Sequence, residues 1–177
     1  MENIVLIGMS GSGKSTVGQY IARKLNIDFL DTDDIIVSNT EKSIEYIFSH
    51  YGEIYFRELE KLVINSLGQR GNMVIATGGG IVLNSDNLEK LKNNGIIFLL
   101  QGSVETLYKN INFQNSINDQ RPLLKQGDLK VELERMYNNR EELYLKSGDY
   151  KISIDNKTIN EIGNEIISIY KKNNTCS

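Results

Sequence analysis

Short apolar runs alternate along the chain with longer stretches whose apolar residues recur at spacings of three and four. Ile4 to Ile7, Phe29 to Leu30, Met73 to Ala76, Ile96 to Leu100 and Tyr150 to Ile154 read as strands. Lys14 to Leu25, Ser43 to His50, Ile54 to Leu67, Ser85 to Lys92, Val104 to Ile111, Leu129 to Leu145 and Thr158 to Lys171 read as helices. Thr158 with Glu161 has the capping-box pattern at the start of the last of these. Strands that alternate with crossover helices predict an α/β fold: a mainly parallel sheet covered by helices on both faces. One stretch breaks the rhythm. "FQNSINDQ", Phe113 to Gln120, is polar and aperiodic and precedes the only proline, Pro122, so it reads as a mobile loop.

Composition narrows the picture. A chain of 177 residues with 40% hydrophobic content fits one globular domain with a sizeable core. Lys and Arg total 20 against 23 Asp and Glu, and no basic stripe stands out, which argues against a nucleic-acid partner. The only Cys is Cys176 and the only His is His50, so neither a disulfide framework nor a Cys/His zinc set is available. The N-terminus lacks the basic start and long apolar run of a signal peptide, and no stretch approaches membrane-spanning length. We expect a soluble cytoplasmic monomer whose partners are small molecules.

Candidate chemistry begins at "GMSGSGKS", Gly8 to Ser15, which matches GxxxxGK(S/T) directly after a strand and at the opening of a helix. Glycines there let backbone N–H groups turn inward as an anion nest, Lys14 reaches the β- and γ-phosphates, and the Ser15 hydroxyl ligates Mg²⁺. This loop predicts a nucleoside triphosphate without saying what is done with it. "FLDTDD", Phe29 to Asp34, places carboxylates at the strand end that faces the ligand crevice of a doubly wound sheet. Asp33 or Asp34 could cap the following helix; alternatively, Asp31 supplies the Mg²⁺ carboxylate absent from "MVIATGGG" and Asp33 meets an attacking hydroxyl. Arg57 and Glu60 fit a solvated ion pair as well as a binding site. The chain uses 14 Lys and only 6 Arg, yet Arg57, Arg121 and Arg140 all fall in motif-bearing stretches, as expected where a planar bidentate donor is needed.

"GMSGSGKSTVG", "FLDTD", "SIEYIFSHYGEIYFRELE", "ATGGG", "RPLL" and "REELY" together resemble the shikimate kinase family over nearly the whole chain. The resemblance implies a three-layer α/β/α P-loop kinase fold with strand order 2-3-1-4-5, and transfer of phosphate from ATP to the 3-hydroxyl of shikimate. It assigns Gly8, Gly11, Ser12, Gly13, Lys14, Ser15 and Thr16 to ATP, and Ser15 with Asp31 to Mg²⁺. Asp33, Arg57, Arg140 and the backbone of Gly78, Gly79 and Gly80 go to shikimate, with Lys14, Asp33 and Arg121 as the catalytic set. It also implies a mobile lid at about residues 112–125 carrying Arg121 over ATP, and a substrate-binding helical region at about 33–61. On this reading the three glycines let backbone approach a small polyhydroxy ring and offer it N–H groups; a tight turn after a strand explains one glycine but not three. The rivals are a P-loop kinase acting on gluconate or a nucleoside monophosphate, and a P-loop switch with no acceptor. The chain departs from the family in its lid, because "QNSINDQ" contains no basic residue to lay across adenine, and the adenine-side loop is expected near Asp155 and Asn156.

Overall fold

The computed structural model describes residues 2–67, 70–117 and 126–174, with the backbone alone at 114–117 and 126–128. Strand β1 (Asn3–Ile7) is buried at every position and lies between β3 (Met73–Ala76) and β4 (Gly95–Gln101). The edges are β2 (Asp28–Asp31) and β5 (Tyr150–Ser153), and all pairings are parallel in the order β2-β3-β1-β4-β5. Val5 sits in register with Ile75 on one side and Ile97 on the other. A sheet covered on both faces needs apolar side chains on both, which is why its inner strands read as unbroken apolar runs rather than alternating ones.

The connections fix the layers. β1 passes to the far edge through α1 (Lys14–Leu25), whereas the later connections run the other way along the sheet. Right-handed crossovers therefore put α1 on one face and α3 (Ile44–Leu67), α4 (Ser85–Lys92) and α6 (Gln126–Ser147) on the other. α7 (Ile159–Asn174) returns to pack on α1, while α4 and α6 pack on β4. A smaller apolar cluster of Ile36, Ile47, Phe56 and Val63 joins α2 (Thr32–Thr40) to α3 apart from the main core. No helix among the described residues is long and apolar enough to cross a membrane.

The helices expected on either side of residues 51–53 are both present within the span of α3, separated by a kink at Gly52, φ 81°, ψ 174°. One difference from the sequence reading has a physical cause. The loop expected from Phe113 is helical through its first residues, since α5 (Val104–Ile117) extends past Ile111. Asn, Gln and Ser are indifferent helix formers, but a helix anchored by buried Leu107 adds each further residue at little cost. Arg121, Pro122 and Cys176 lie outside the described residues.

Gly18 sets how closely α1 approaches the sheet. A Cβ there would stand 2.5 Å from the Phe29 ring and 3.3 Å from Leu6. Gly18→Val should therefore lower stability by about 1–3 kcal/mol through overpacking, read as a reduced denaturant midpoint at unchanged slope.

Candidate active site

β1 ends at the phosphate loop. Gly11 and Gly13 take φ of 80° and 83°, which L side chains rarely adopt, and the space a Cβ at Gly11 would need is already taken by the Leu107 carbonyl at 2.6 Å. The Asn110 amide donates to the Gly11 carbonyl at 2.8 Å, so α5 braces the loop from outside. Lys14 is buried, and its ammonium donates to the carbonyls of Gly8 and Met9 at 2.8 and 2.9 Å and to Ser12 Oγ at 3.2 Å. Burial lowers its pKa to about 8, against the pull of Asp33 and Asp31.

β2 delivers the carboxylates. Asp31 Oδ2 accepts from the Ser15 hydroxyl at 2.6 Å, while Oδ1 accepts from the Asp33 N–H at 3.0 Å. The N-cap of α2 is thus Asp31, not Asp33 or Asp34 as one reading of the sequence had it. Asp33 is free for other work: its Oδ1 is buried with no hydrogen-bond partner among the described residues. Burial first, then the neighbouring Asp31, pushes its pKa up to about 6 against the opposing Lys14 and Arg57. Ser15 and Asp31 offer paired hard oxygens beside a phosphate nest, a donor set that suits Mg²⁺ completed by phosphate oxygens and water.

The second half of α3 supplies Arg57. Its guanidinium donates to both Glu60 oxygens at 3.1 Å and pairs with Glu53 at 3.0 Å. Glu60 has no exposed surface and Arg57 retains 19%, so this is not the solvated surface pair that spacing alone allows. Burial raises the Glu60 pKa and Arg57 opposes that shift.

The glycines after β3 close against these groups. The Gly78 N–H donates to Thr32 Oγ1 at 3.0 Å. A Cβ at Gly78 would lie 2.7 Å from Asp33 Oδ1, and one at Gly80 would fall inside the Arg57 guanidinium. None of the three takes a positive φ; Gly78 leaves room for Asp33, Gly79 for the phosphate loop at Ser10, and Gly80 for Arg57. Arg140 and Tyr144 on α6 both donate to the Gly79 carbonyl, Arg140 at 3.4 Å. Burial pushes the Tyr144 hydroxyl up to about 12, so it remains a donor.

The phosphate loop, the β2 carboxylates and Gly79 meet in one cleft. Ser10, Lys14, Ser15, Asp31, Asp33 and Gly79 line it, and Gly13 and Thr16 lie both on this cleft and on a neighbouring cavity. Arg121 falls outside the described residues. Asp155, in the loop expected on the adenine side, accepts from the N–H and hydroxyl of Ser103, and hydrogen bonds from Thr106 and Ser103 hold its carboxyl below the usual range. It ties the loop after β5 to the loop after β4. Sequence reasoning missed Thr32 and Tyr144 and left Glu60 undecided. Tyr144 stands one helical turn from Arg140, a usable signal; Thr32 gave none.

A phosphate nest, a hard-oxygen pair and a carboxylate with one unpartnered oxygen in one cleft, with a half-buried guanidinium against the adjoining glycine loop, can align a phosphoryl donor with an anionic, hydroxyl-bearing acceptor. Comparison with known proteins agrees. A shikimate kinase from Caldanaerobacter subterraneus subsp. tengcongensis is 41% identical over 172 residues, covering 97% of this chain and 98% of that one. One from Clostridium botulinum (strain Okra / Type B1) is 45% identical over 172 residues with the same coverage of each chain. The solved shikimate kinase of Acinetobacter baumannii, in complex with shikimate, superposes with a TM-score of 0.87 at 33% identity, over 98% of this chain and 94% of that one. The family model described as "Shikimate kinase" matches residues 10–171, and the chain belongs to the shikimate kinase family.

Proposed function

We propose that this chain moves the γ-phosphoryl group of ATP to the 3-hydroxyl of shikimate, giving shikimate 3-phosphate and ADP, a step toward chorismate and the aromatic amino acids. The observation that carries the reading is Asp33: a half-buried carboxylate whose Oδ1 is buried without a hydrogen-bond partner among the described residues, between the phosphate loop and Arg57. Its natural partner is the acceptor hydroxyl, which it orients and relieves of its proton as the O–P bond forms. Arg57 and Arg140 meet the shikimate carboxylate, with Glu60 holding Arg57 and Tyr144 holding the Gly79 wall.

Phosphoryl transfer through a loose transition state asks the protein for alignment and charge more than for covalent chemistry. The loop N–H groups and Lys14 hold the phosphates, Thr16 lies beside them, and Arg121 closes over ATP. Ser15 and Asp31 hold Mg²⁺, which when bound offsets charge on the phosphate oxygens.

Shikimate-dependent ADP release is the direct test; its absence in the pure protein would overturn the reading. Lys14→Ala should cost at least about a hundred-fold in kcat, because its charge acts on the transferring group. Arg57→Lys should raise the KM for shikimate about ten-fold and leave that for ATP nearly unchanged, since a point charge cannot replace a bidentate fork. Equal effects on both substrates would remove Arg57 from the acceptor site.

Asp33 gives opposite signs for activity and stability. A folded-state pKa near 6, above the ordinary value of 3.8, means the native state binds this proton more tightly than the unfolded chain does. Stability therefore falls as pH rises through that interval, and ionised Asp33 costs on the order of 2 kcal/mol at neutral pH. Asp33→Asn should lose about a hundred-fold or more in kcat and yet melt higher at pH 7, with the gain shrinking toward pH 4. Wild-type kcat should drop with a one-proton slope below about pH 6.

A further inference from the structure

We propose that Glu53 stands in for the acceptor's carboxylate: it holds the edge of Arg57 that a carboxylate pairs with until shikimate displaces it. This rests on the kinase reading above and adds what the acceptor must push aside. A guanidinium grips a carboxylate through two parallel N–H groups, and the edge formed by Nε and Nη2 is one such fork. In Arg57 that edge is taken. Nε and Nη2 both donate to Glu53 Oε1, at 3.3 and 3.0 Å. Nη1 is given to Glu60, whose two oxygens it meets at 3.1 Å. With both carboxylates in place, no pair of parallel N–H groups is left for a ligand.

Of the described groups packed around this guanidinium, Glu53 is the one that can yield. Glu60 has no exposed surface and would become a buried, unpaired carboxylate if it let go. Phe56 is buried, with the guanidinium carbon 5.2 Å from its ring centroid, and Gly80 lies so close that a Cβ there would overlap Nη2. Glu53 keeps 54% of its side chain exposed, so water can receive its carboxylate at little cost. It also follows Gly52, whose φ of 81° breaks α3, so the helix upstream does not run on into it. Exchange of one carboxylate for another keeps Arg57 paired throughout, and with it Glu60. The exchange sets a threshold as well. An anion that offers only a charge competes with a tethered carboxylate and gains little, whereas shikimate also brings hydroxyls for Asp33 and the glycine wall. Its apparent affinity is the intrinsic one reduced by the fraction of molecules whose fork is open.

Calorimetric binding of shikimate to wild type, Glu53→Gln and Glu53→Ala tests the exchange. The Kd for shikimate should fall about three- to five-fold in Glu53→Gln, the range an exposed ion pair is worth. Glu53→Ala should gain at least as much, because no side-chain oxygen remains to compete. In turnover the gain should fall on the KM for shikimate and not on that for ATP. Shikimate methyl ester keeps the hydroxyls but lacks the carboxylate charge, so its kcat/KM should gain nothing from either variant. A residue that merely supports the structure would lose affinity on removal, and would do so for both acceptors alike. Unchanged or weaker shikimate binding in either variant, or an equal gain for shikimate and its ester, would overturn the exchange and leave the kinase reading intact. Wild-type protein from which shikimate releases no ADP would overturn the acceptor assignment and the exchange together.

Discussion

Lys14, Asp33, Arg57 and Glu60 share a region largely withdrawn from water, and none of them could stay ionised there alone. An isolated buried charge costs several kcal/mol, which only opposite charge and hydrogen bonds offset. Glu60, with no exposed surface, is tolerable because Arg57 grips both its oxygens. Lys14 is held by loop carbonyls on one side and by the fields of Asp33 and Asp31 on the other. Asp33 alone is left with an unmet oxygen, and that is where the site is reactive.

The scaffold brings these charges together by geometry it would need anyway. A parallel sheet sends successive strands out at one end, so the loops after β1, β2 and β3 converge there. Asp31 serves the two loops at once, since one oxygen caps α2 and the other takes the Ser15 hydroxyl. The cluster of Ile36, Ile47, Phe56 and Val63 then fixes α2 against α3, and with them Asp33 against Arg57.

What the sequence discloses follows the range of the interactions involved. The inner strands and α1 were legible because their signals are local and uninterrupted; α1 begins and ends where periodicity places it. The phosphate loop was legible because its chemistry is written in contiguous residues. The cap at Asp31 was ambiguous because three carboxylates in "DTDD" sit close enough to reach one helix start, and only the fold selects among them. The extension of α5 past Ile111 was hidden because its residues favour no state and inherit one from the helix before them. Thr32 was hidden more thoroughly, since it acts on a glycine far along the chain; Tyr144 acts at similar range but stands one helical turn from Arg140. The burial of Glu60 likewise depends on how α3 lies against the loop after β3, which helical spacing does not encode.

The glycines after β3 change what kind of damage a small substitution does. At Gly80 a methyl group and the Arg57 guanidinium need the same space. Whichever way that conflict resolves, the guanidinium moves, and Glu60 is left as a buried carboxylate without its counter-ion. One added carbon in a loop is thereby converted from a steric fault into an electrostatic one, expressed in a helix the loop merely touches. Most loops absorb an extra methyl by shifting outward into solvent. This one borders a closed circuit of charge, and the absence of a side chain is what keeps the circuit complete.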